Sequence, residues 1–341
     1  MGAYGLQTHI WNNNWKTVLL MAGFPVLLLL LTYALFLLFA GLTGTFVGND
    51  PTIGYFIWAG DALADAWPFA IAGAILWFGI AYAFYQTIID AATGAKKVER
   101  KEEPKLYNLL ENLCISRGIT MPALRIMETD ALNAFATGLH KGQYSITVTR
   151  GLMTALNDEE LEAVLAHELT HIRNADVRLL IIAVIFVGIF SFVGEMGFRS
   201  LRFGGAGGSS RRSSGGRDSG GGAVIAIIVA LVIIGVAYAL AIVIRFALSR
   251  RREYLADAGA VELTKNPDAM ISALQKISGN ANVNAPSEVR EMFIENPHSD
   301  FASIFATHPP IEKRIAALAK FAGGRVAPAA TPSRGKSGPW G

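Results

Sequence analysis

Long apolar runs alternate with polar blocks along this chain, and the runs exceed what the core of a soluble domain uses. Residues 17–39 and 67–89 each give 23 positions without a charge, and 223–244 gives 22. A bilayer-spanning helix needs about 20 apolar residues, so each run predicts a span. Residues 179–194 offer 16 positions before Glu195. That run spans only with little tilt or a locally thinned bilayer, and it also reads as a buried core helix. Trp11, Trp15, Trp58 and Trp67 flank the first two runs, as interfacial aromatics do. The first run is longer than the apolar part of a cleavable signal and carries no small-residue cleavage site, which makes it a retained anchor.

Shorter periods appear in the polar blocks. Leu106, Leu109, Leu110 and Leu113 recur at helical spacing between Pro104 and Arg117, with Cys114 beside them as a small hydrophobe. Strand-like runs follow at 123–127, 132–137 and 143–149. In the last, Tyr144, Ile146 and Val148 alternate with polar neighbours, which predicts a strand with one wet face. Asn157 followed by Glu160 predicts a capped helix start, and Val164 and Leu165 carry its apolar side onward. The pattern divides the chain into a two-span region at 1–95, a polar block at 96–176, a membrane hairpin at 177–248, a second polar block at 249–322 and a disordered tail at 323–341. The hairpin holds a Gly/Ser/Arg-rich linker at 199–222.

Composition agrees with a membrane protein. Apolar residues make up 52% of the 341 positions and charged residues only 17%, against about 25% charged in an average soluble domain. A formal charge of +3 is too small to argue for nucleic acid. The single cysteine excludes an intramolecular disulfide. Loop 40–66 carries Asp50, Asp61 and Asp65 with no basic residue, whereas Lys96, Lys97, Arg100, Lys101 and Lys105 follow the second run. The positive-inside rule therefore puts the polar blocks in the cytoplasm, in agreement with Arg245 and Arg250–Arg252 after the last run. Arg199, Arg202, Arg211, Arg212 and Arg217 in the linker argue the other way, because four spans place them outside.

His167-Glu168-Leu-Thr-His171 is the most informative string. Two imidazoles four residues apart on a helix return to one face and can grip one metal ion, and Glu168 is positioned to polarise a metal-bound water. Such five-residue matches also occur by chance on helices that bind nothing. Downstream, Ser249-Arg-Arg-Arg-Glu253-Tyr-Leu-Ala-Asp257 sets two carboxylates one helical turn apart. Glu253 can complete a His₂Glu site and Asp257 can orient an imbedded imidazole; the plainer reading is a charged surface paired to the arginines. If the His167 helix runs straight into the third span, His171 stands eight residues before Leu179, about 12 Å at 1.5 Å per residue. Glu253 stands nine residues past Ile244, about 13.5 Å by the same rise. Both then lie at one height above one membrane face.

The HELTH string, the downstream EYLAD string, Asn133-Ala-Phe-Ala-Thr-Gly138 and Thr307-His308-Pro-Pro310 with Arg314 give the chain a resemblance to HtpX-type membrane metalloendopeptidases, relatives of the CAAX prenyl endopeptidases. It covers about residues 65 to 320. The resemblance implies one Zn²⁺ per subunit on His167, His171 and Glu253, with Glu168 as general base. The implied fold is an α-helical integral membrane protein of about four spans, with an α+β gluzincin-like protease domain split around a membrane hairpin. The linker 199–222 has no counterpart in the family pattern.

An open zinc site lowers the pKa of water to about 7 and leaves Glu168 to take its proton as peptide hydrolysis begins. His308, with Arg314, is the candidate second electrophile for the oxyanion, or else a capping histidine in a proline turn. The run from Asn133 and Ala134, or the strand at 143–149, can hold the substrate as an added β-strand. Asn133 can offer its amide to that substrate or simply serve a tight turn. His9, His140 and His298 lack partners at ligand spacing. The leading expectation is an endopeptidase of the cytoplasmic membrane, active on the cytosolic side against damaged or unfolded membrane proteins. The alternatives are a processing protease for one dedicated substrate, such as a lipidated C-terminus, and a non-enzymatic scaffold with structural zinc.

Overall fold

The structure, a computed structural model, describes residues 6–182, 185, 219–247, 251–278, 280, 293–294 and 309–325. Its elements run α1 (Leu6–Thr43), α2 (Pro51–Thr93), β1 (Lys96–Lys97), α3 (Pro104–Arg117), β2 (Ala123–Met127), β3 (Ala134–Thr137) and β4 (Ser145–Thr149). They continue with α4 (Arg150–Ala155), α5 (Asp158–Arg173), α6 (Ser219–Ala247), α7 (Arg251–Thr264), α8 (Pro267–Ile277) and α9 (Ile311–Ala322).

Helices α1 and α2 have 38 and 43 residues, about 57 and 64 Å at 1.5 Å per residue. Each is long enough to cross a hydrocarbon core of about 30 Å and continue beyond it. Asp50 explains why α2 starts so early: its side chain accepts from Thr52 N, and Pro51 brings a helix-ready φ to the first turn. Most of the loop expected at 40–66 is therefore helical. α1, α2 and α6 pack together around Leu37, Ala40, Tyr55, Ala59, Ala226 and Ala230. At Gly41 a Cβ would stand 2.7 Å from Ile227 Cγ1, so glycine lets α1 and α6 approach closely, as small residues do between membrane helices. Phe69, Ile75, Leu76, Ile228 and Leu231 face outward, an apolar surface suited to lipid.

The two ends of this bundle differ. At one end the α1–α2 connection meets the start of α6, with Gly222 against Thr52. At the other end the start of α1 and the finish of α2 meet the polar domain. There the Tyr85 hydroxyl donates to Gln143 O at 3.0 Å, Thr137 Oγ1 donates to Gln86 Oε1 at 2.7 Å, and Arg125 pairs with Asp90.

The polar domain is α+β. Its sheet has the order β1-β2-β4-β3, with β2 and β4 parallel and the other two pairs antiparallel. Leu124 lies opposite Ile146, and Ala134 opposite Val148. α5 packs against the edge strand β3 on one side and against α7 and α8 on the other. Leu106, Leu110, Leu113 and Cys114 of α3 are buried, as their spacing predicts. Burial also pushes the Cys114 thiol up to about 11.

Two expectations change. β4 has no wet face, because Ser145, Thr147 and Thr149 are buried along with Ile146 and Val148. Ser145 Oγ meets Thr137 Oγ1 at 2.7 Å, and Thr149 Oγ1 donates to the main-chain Asn133 O at 2.9 Å, so protein partners replace water at these two hydroxyls. Nor does α5 run straight into the third apolar run. It ends at Arg173, the chain turns through Ala175 at φ 60°, and helix resumes over 176–182. Most of the apolar run 179–194, the linker 199–218 and the tail from 326 lie outside the described residues.

Candidate metal centre

The site is built on α5, whose start is fixed by a complete capping box. Glu160 N donates to Asn157 Oδ1 at 2.9 Å, and Asn157 N donates to Glu160 Oε2 at 2.8 Å. The same Glu160 carboxylate accepts from Ser272 Oγ and Lys276 Nζ, each at 2.6 Å, which ties α5 to α8. Helix α7 comes close because residue 259 is glycine: a Cβ there would stand 2.4 Å from Thr170 Cγ2. That approach carries Glu253, at the first turn of α7, over the histidine face of α5.

His167 Nε2 and His171 Nε2 face each other at 3.1 Å. Glu253 stands 3.7 Å from both, through Oε2 to His167 and through Oε1 to His171. The outer nitrogen of each ring meets a carboxylate at 3.0 Å: Asp257 Oδ1 at His167 Nδ1, and Asp176 Oδ2 at His171 Nδ1. A ring that donates from Nδ1 presents a lone pair at Nε2. Two such lone pairs and a carboxylate, converging in a buried pocket, can share one cation. The donor set of two imidazoles and one carboxylate fits a divalent metal that favours nitrogen and oxygen, and His167, His171 and Glu253 are the residues able to hold it.

The electrostatics follow from burial among charges. Burial, helped by the charge of Glu253, lifts the Glu168 carboxyl above the usual carboxylate range, against the two imidazoles and Arg314. Burial pulls the His171 ring down, but Glu253 and Asp176 outweigh it and hold the ring at about 10. Burial also opposes ionisation of Asp257, yet Arg314 holds that carboxyl below its usual range. Arg314 Nε and Nη2 donate to the two Asp257 oxygens at 2.9 and 2.6 Å, and Nη1 donates to Ile294 O at 3.1 Å.

The remaining expected residues fall in different places. Arg314 is fully buried, with Nη2 3.5 Å from both ring nitrogens of His167 and Nη1 3.9 Å from Glu253 Oε2. Asn133 and Ala134 are also buried. Asn133 Oδ1 accepts from Ala134 N and from Ile294 N, each at 3.0 Å, and Ile294 N also approaches Ala134 O at 3.0 Å. The cleft over the histidines is lined instead by Ala136, Val177, Leu180, Arg252 and Phe293. His308 lies outside the described residues. Sequence reasoning missed Asp176 and Arg252, whose Nε lies 3.2 Å from Glu253 Oε1. Asp176 follows His171 by five residues, a signal that the expected straight helix conceals.

Comparison with known proteins agrees with this geometry. The profile of peptidase family M48 matches residues 100–322. A Bacteroides fragilis protein named protease HtpX homolog is 44% identical over 328 residues, covering 93% of this chain and 99% of the relative. Protease HtpX homologs of Listeria innocua and Lactobacillus helveticus are 45% and 36% identical, covering 68% and 92% of this chain and 79% and 99% of the relatives. Among solved structures, the crystal structure of S. mikatae Ste24p aligns with a TM-score of 0.42 at 18% identity, over 91% of this chain and 66% of that chain. With a buried His₂Glu cluster beneath helices long enough to cross a bilayer, the chain belongs to peptidase family M48 and is a membrane-bound metalloendopeptidase.

Proposed function

We propose that this protein is a zinc endopeptidase of the cytoplasmic membrane that crosses it four times and cuts damaged or misfolded membrane proteins on the cytosolic side. The observation that carries the reading is the cluster of His167, His171 and Glu253, each ring backed by its own carboxylate. A bound zinc ion supplies Lewis acidity toward water and the scissile carbonyl. Glu168, buried beside the ligands with a raised pKa, takes the proton of the attacking water and returns it to the leaving amine. Asp257 and Asp176 keep both rings in the tautomer that offers Nε2. The substrate lies along β3 where Ala136 lines the cleft, and His308 supports the developing oxyanion with Arg314, whose charge stands 3.9 Å from Glu253 Oε2.

Four crossings are supported by the two ends of the bundle. The helix that resumes at 176 is described to 182, with Ile185 beyond it still in the core, and the chain is next described at 219, where α6 begins beside Thr52 at the opposite end. An even number of crossings returns Glu253 to the side of His171. Basic residues at that end, Lys96, Lys97 and Arg100 among them, favour the cytoplasm.

The test compares zinc content and casein cleavage in wild type, Glu168→Gln and Glu253→Ala. Glu168→Gln is expected to keep zinc and lose proteolysis, and Glu253→Ala to lose zinc itself. Equal zinc in all three would overturn the ligand assignment of Glu253. Cleavage of unrelated unfolded membrane proteins supports quality control, whereas cleavage confined to one substrate would overturn it.

A further inference from the structure

The first membrane helix reaches the metal site through one buried amide. Asn13, on the early part of α1, is 3% exposed. Its Nδ2 donates to Asp176 Oδ1 at 2.7 Å and to Asn174 O at 3.1 Å. Asp176 turns its other oxygen, Oδ2, to His171 Nδ1 at 3.0 Å. Asn13 and Asp176, 163 positions apart, thus form one line with His171, from helix α1 through the carboxylate to the imidazole.

The segment that Asn13 grips needs holding. Ala175, between its two acceptors, sits at φ 60°, a left-handed conformation that is unfavourable for a non-glycine residue. That turn breaks α5 and swings Asp176 back onto His171. By bonding on both sides of Ala175, Asn13 fixes the turn and the carboxylate together. The contact is also dry: Thr17 Oγ1 donates to Asn13 O at 2.9 Å one turn further along α1, and both residues are buried. A polar side chain buried this far into an interface is retained where its hydrogen bonds are used.

We infer that Asn13 is a positioning residue of the metal centre, so that docking of the first membrane helix completes the orientation of His171. The inference rests on the proposed role of His171 as a metal ligand. Removing an outer partner of a metal-bound imidazole costs about 10- to 100-fold in metal affinity. Loss of Asn13 leaves Asp176 in place but unanchored, so the lower end of that range applies.

The test measures Zn²⁺ dissociation constants by chelator competition, and Co²⁺ absorption spectra, on the purified full-length protein in lipid nanodiscs. Asn13→Ala is expected to weaken Zn²⁺ binding about tenfold and shift the Co²⁺ bands. Asn13→Asp keeps the size of the side chain, replaces the donor with a carboxylate facing Asp176, and is expected to weaken binding at least as much. Asp176→Asn is expected to fall by about 10- to 100-fold, and the double variant with Asn13→Ala no further, because the two act in series. Asn14→Ala is the control. Asn14 sits on the next position of α1 and bonds Arg178, so its loss disturbs helix docking without touching the line to His171, and metal affinity and spectrum are expected to stay at wild-type values.

Wild-type affinity and spectrum in both Asn13 variants would overturn the inference. So would an Asn14→Ala loss as large as that of Asn13→Ala, or full additivity with Asp176→Asn. Should Asn13→Ala fail to fold, the same-sized Asn13→Asp decides. A wild-type protein that binds no metal would instead overturn the metal-site reading, and this inference with it.

Discussion

Asp257 serves two partners at once, the Arg314 guanidinium and the His167 ring, and that makes its surroundings a sensitive spot at the scale of single residues. It accepts both arms of Arg314 and meets His167 Nδ1, all in a region closed to solvent. Removing the arginine strands a buried carboxylate, a defect that costs about 3–5 kcal/mol. Arg314→Met is therefore expected to lower the unfolding midpoint severely, and Arg314→Met with Asp257→Asn to recover part of the loss. Arg314→Lys is expected to resemble Arg314→Met, because an ammonium cannot span both oxygens. A thermal midpoint for Arg314→Lys equal to wild type would contradict the bidentate account. Residue types at fixed spacing made the pairing of His167 with His171 legible from helix geometry, whereas Glu253 joined them through the family resemblance, since the straight helix that the height argument assumed ends at Arg173. The side on which Arg314 would fall was not legible: it depends on how α9 docks, and no local pattern records that. Asp176 was hidden for a similar reason, because nothing in an alanine announces the turn at Ala175.

Among the elements, the packing of α7 on α5 decides whether the ligands meet. A methyl group at Gly259 would overlap Thr170, whose hydroxyl is already committed to Ala166 O at 2.8 Å. Alanine gains about 1 kcal/mol of helix propensity over glycine, but overpacking a tight core costs about 1–3 kcal/mol, and the displacement falls less than two turns from Glu253. Gly259→Ala is expected to destabilise the protein and weaken metal binding, and adding Thr170→Ala, which clears the overlap, to restore both. Restoration of neither would separate Gly259 from the α5–α7 contact. The start of α5 offers a second check. Although burial pushes the Glu160 carboxyl up, Lys276, Ser272 and the Asn157 amide outweigh it and hold it below its ordinary 4.5. A depressed carboxyl stabilises the fold above about that pH and loses its contribution as pH falls through the folded value. The stability difference between wild type and Glu160→Gln is thus expected to be steady from pH 7 to about 5 and to shrink below about 4.5, as read by denaturant unfolding. A difference that grows toward acid would reverse the sign and refute the account. The capping box was legible in sequence because both of its bonds are local. The tie to α8 spans more than a hundred residues and was not.

At the scale of the whole molecule, the apolar runs announced the membrane helices but not their true lengths. Hydropathy registers the uncharged stretch, whereas α1 starts well before its run and carries Asn13 to the polar domain, and α2 starts well before its own run, whose last residues bring Gln86, with Asp90 just beyond, to the same domain. The buried polar side of β4 was likewise unreadable, since its coverage comes from Gln86 of α2 and from Asn133. The same long helices give the topology its test. His171 and Glu253 share the end of the bundle where α1 starts, while α6 starts at the other end beside Thr52. Ser213, six residues before α6, is therefore expected outside the cell, and Ser278, at the close of α8, inside. With buried Cys114 replaced, Ser213→Cys should react with a membrane-impermeant thiol reagent on intact cells, and Ser278→Cys should react only after lysis. Labelling of Ser278→Cys alone would invert the protein and put the metal centre outside. Protection at both sites would mean that residues 183–218 do not cross, so that the linker arginines sit in the cytoplasm as their charge prefers. In that case the four-span arrangement would fall, and α6 would have to begin on the side where the two ends of the bundle say it finishes.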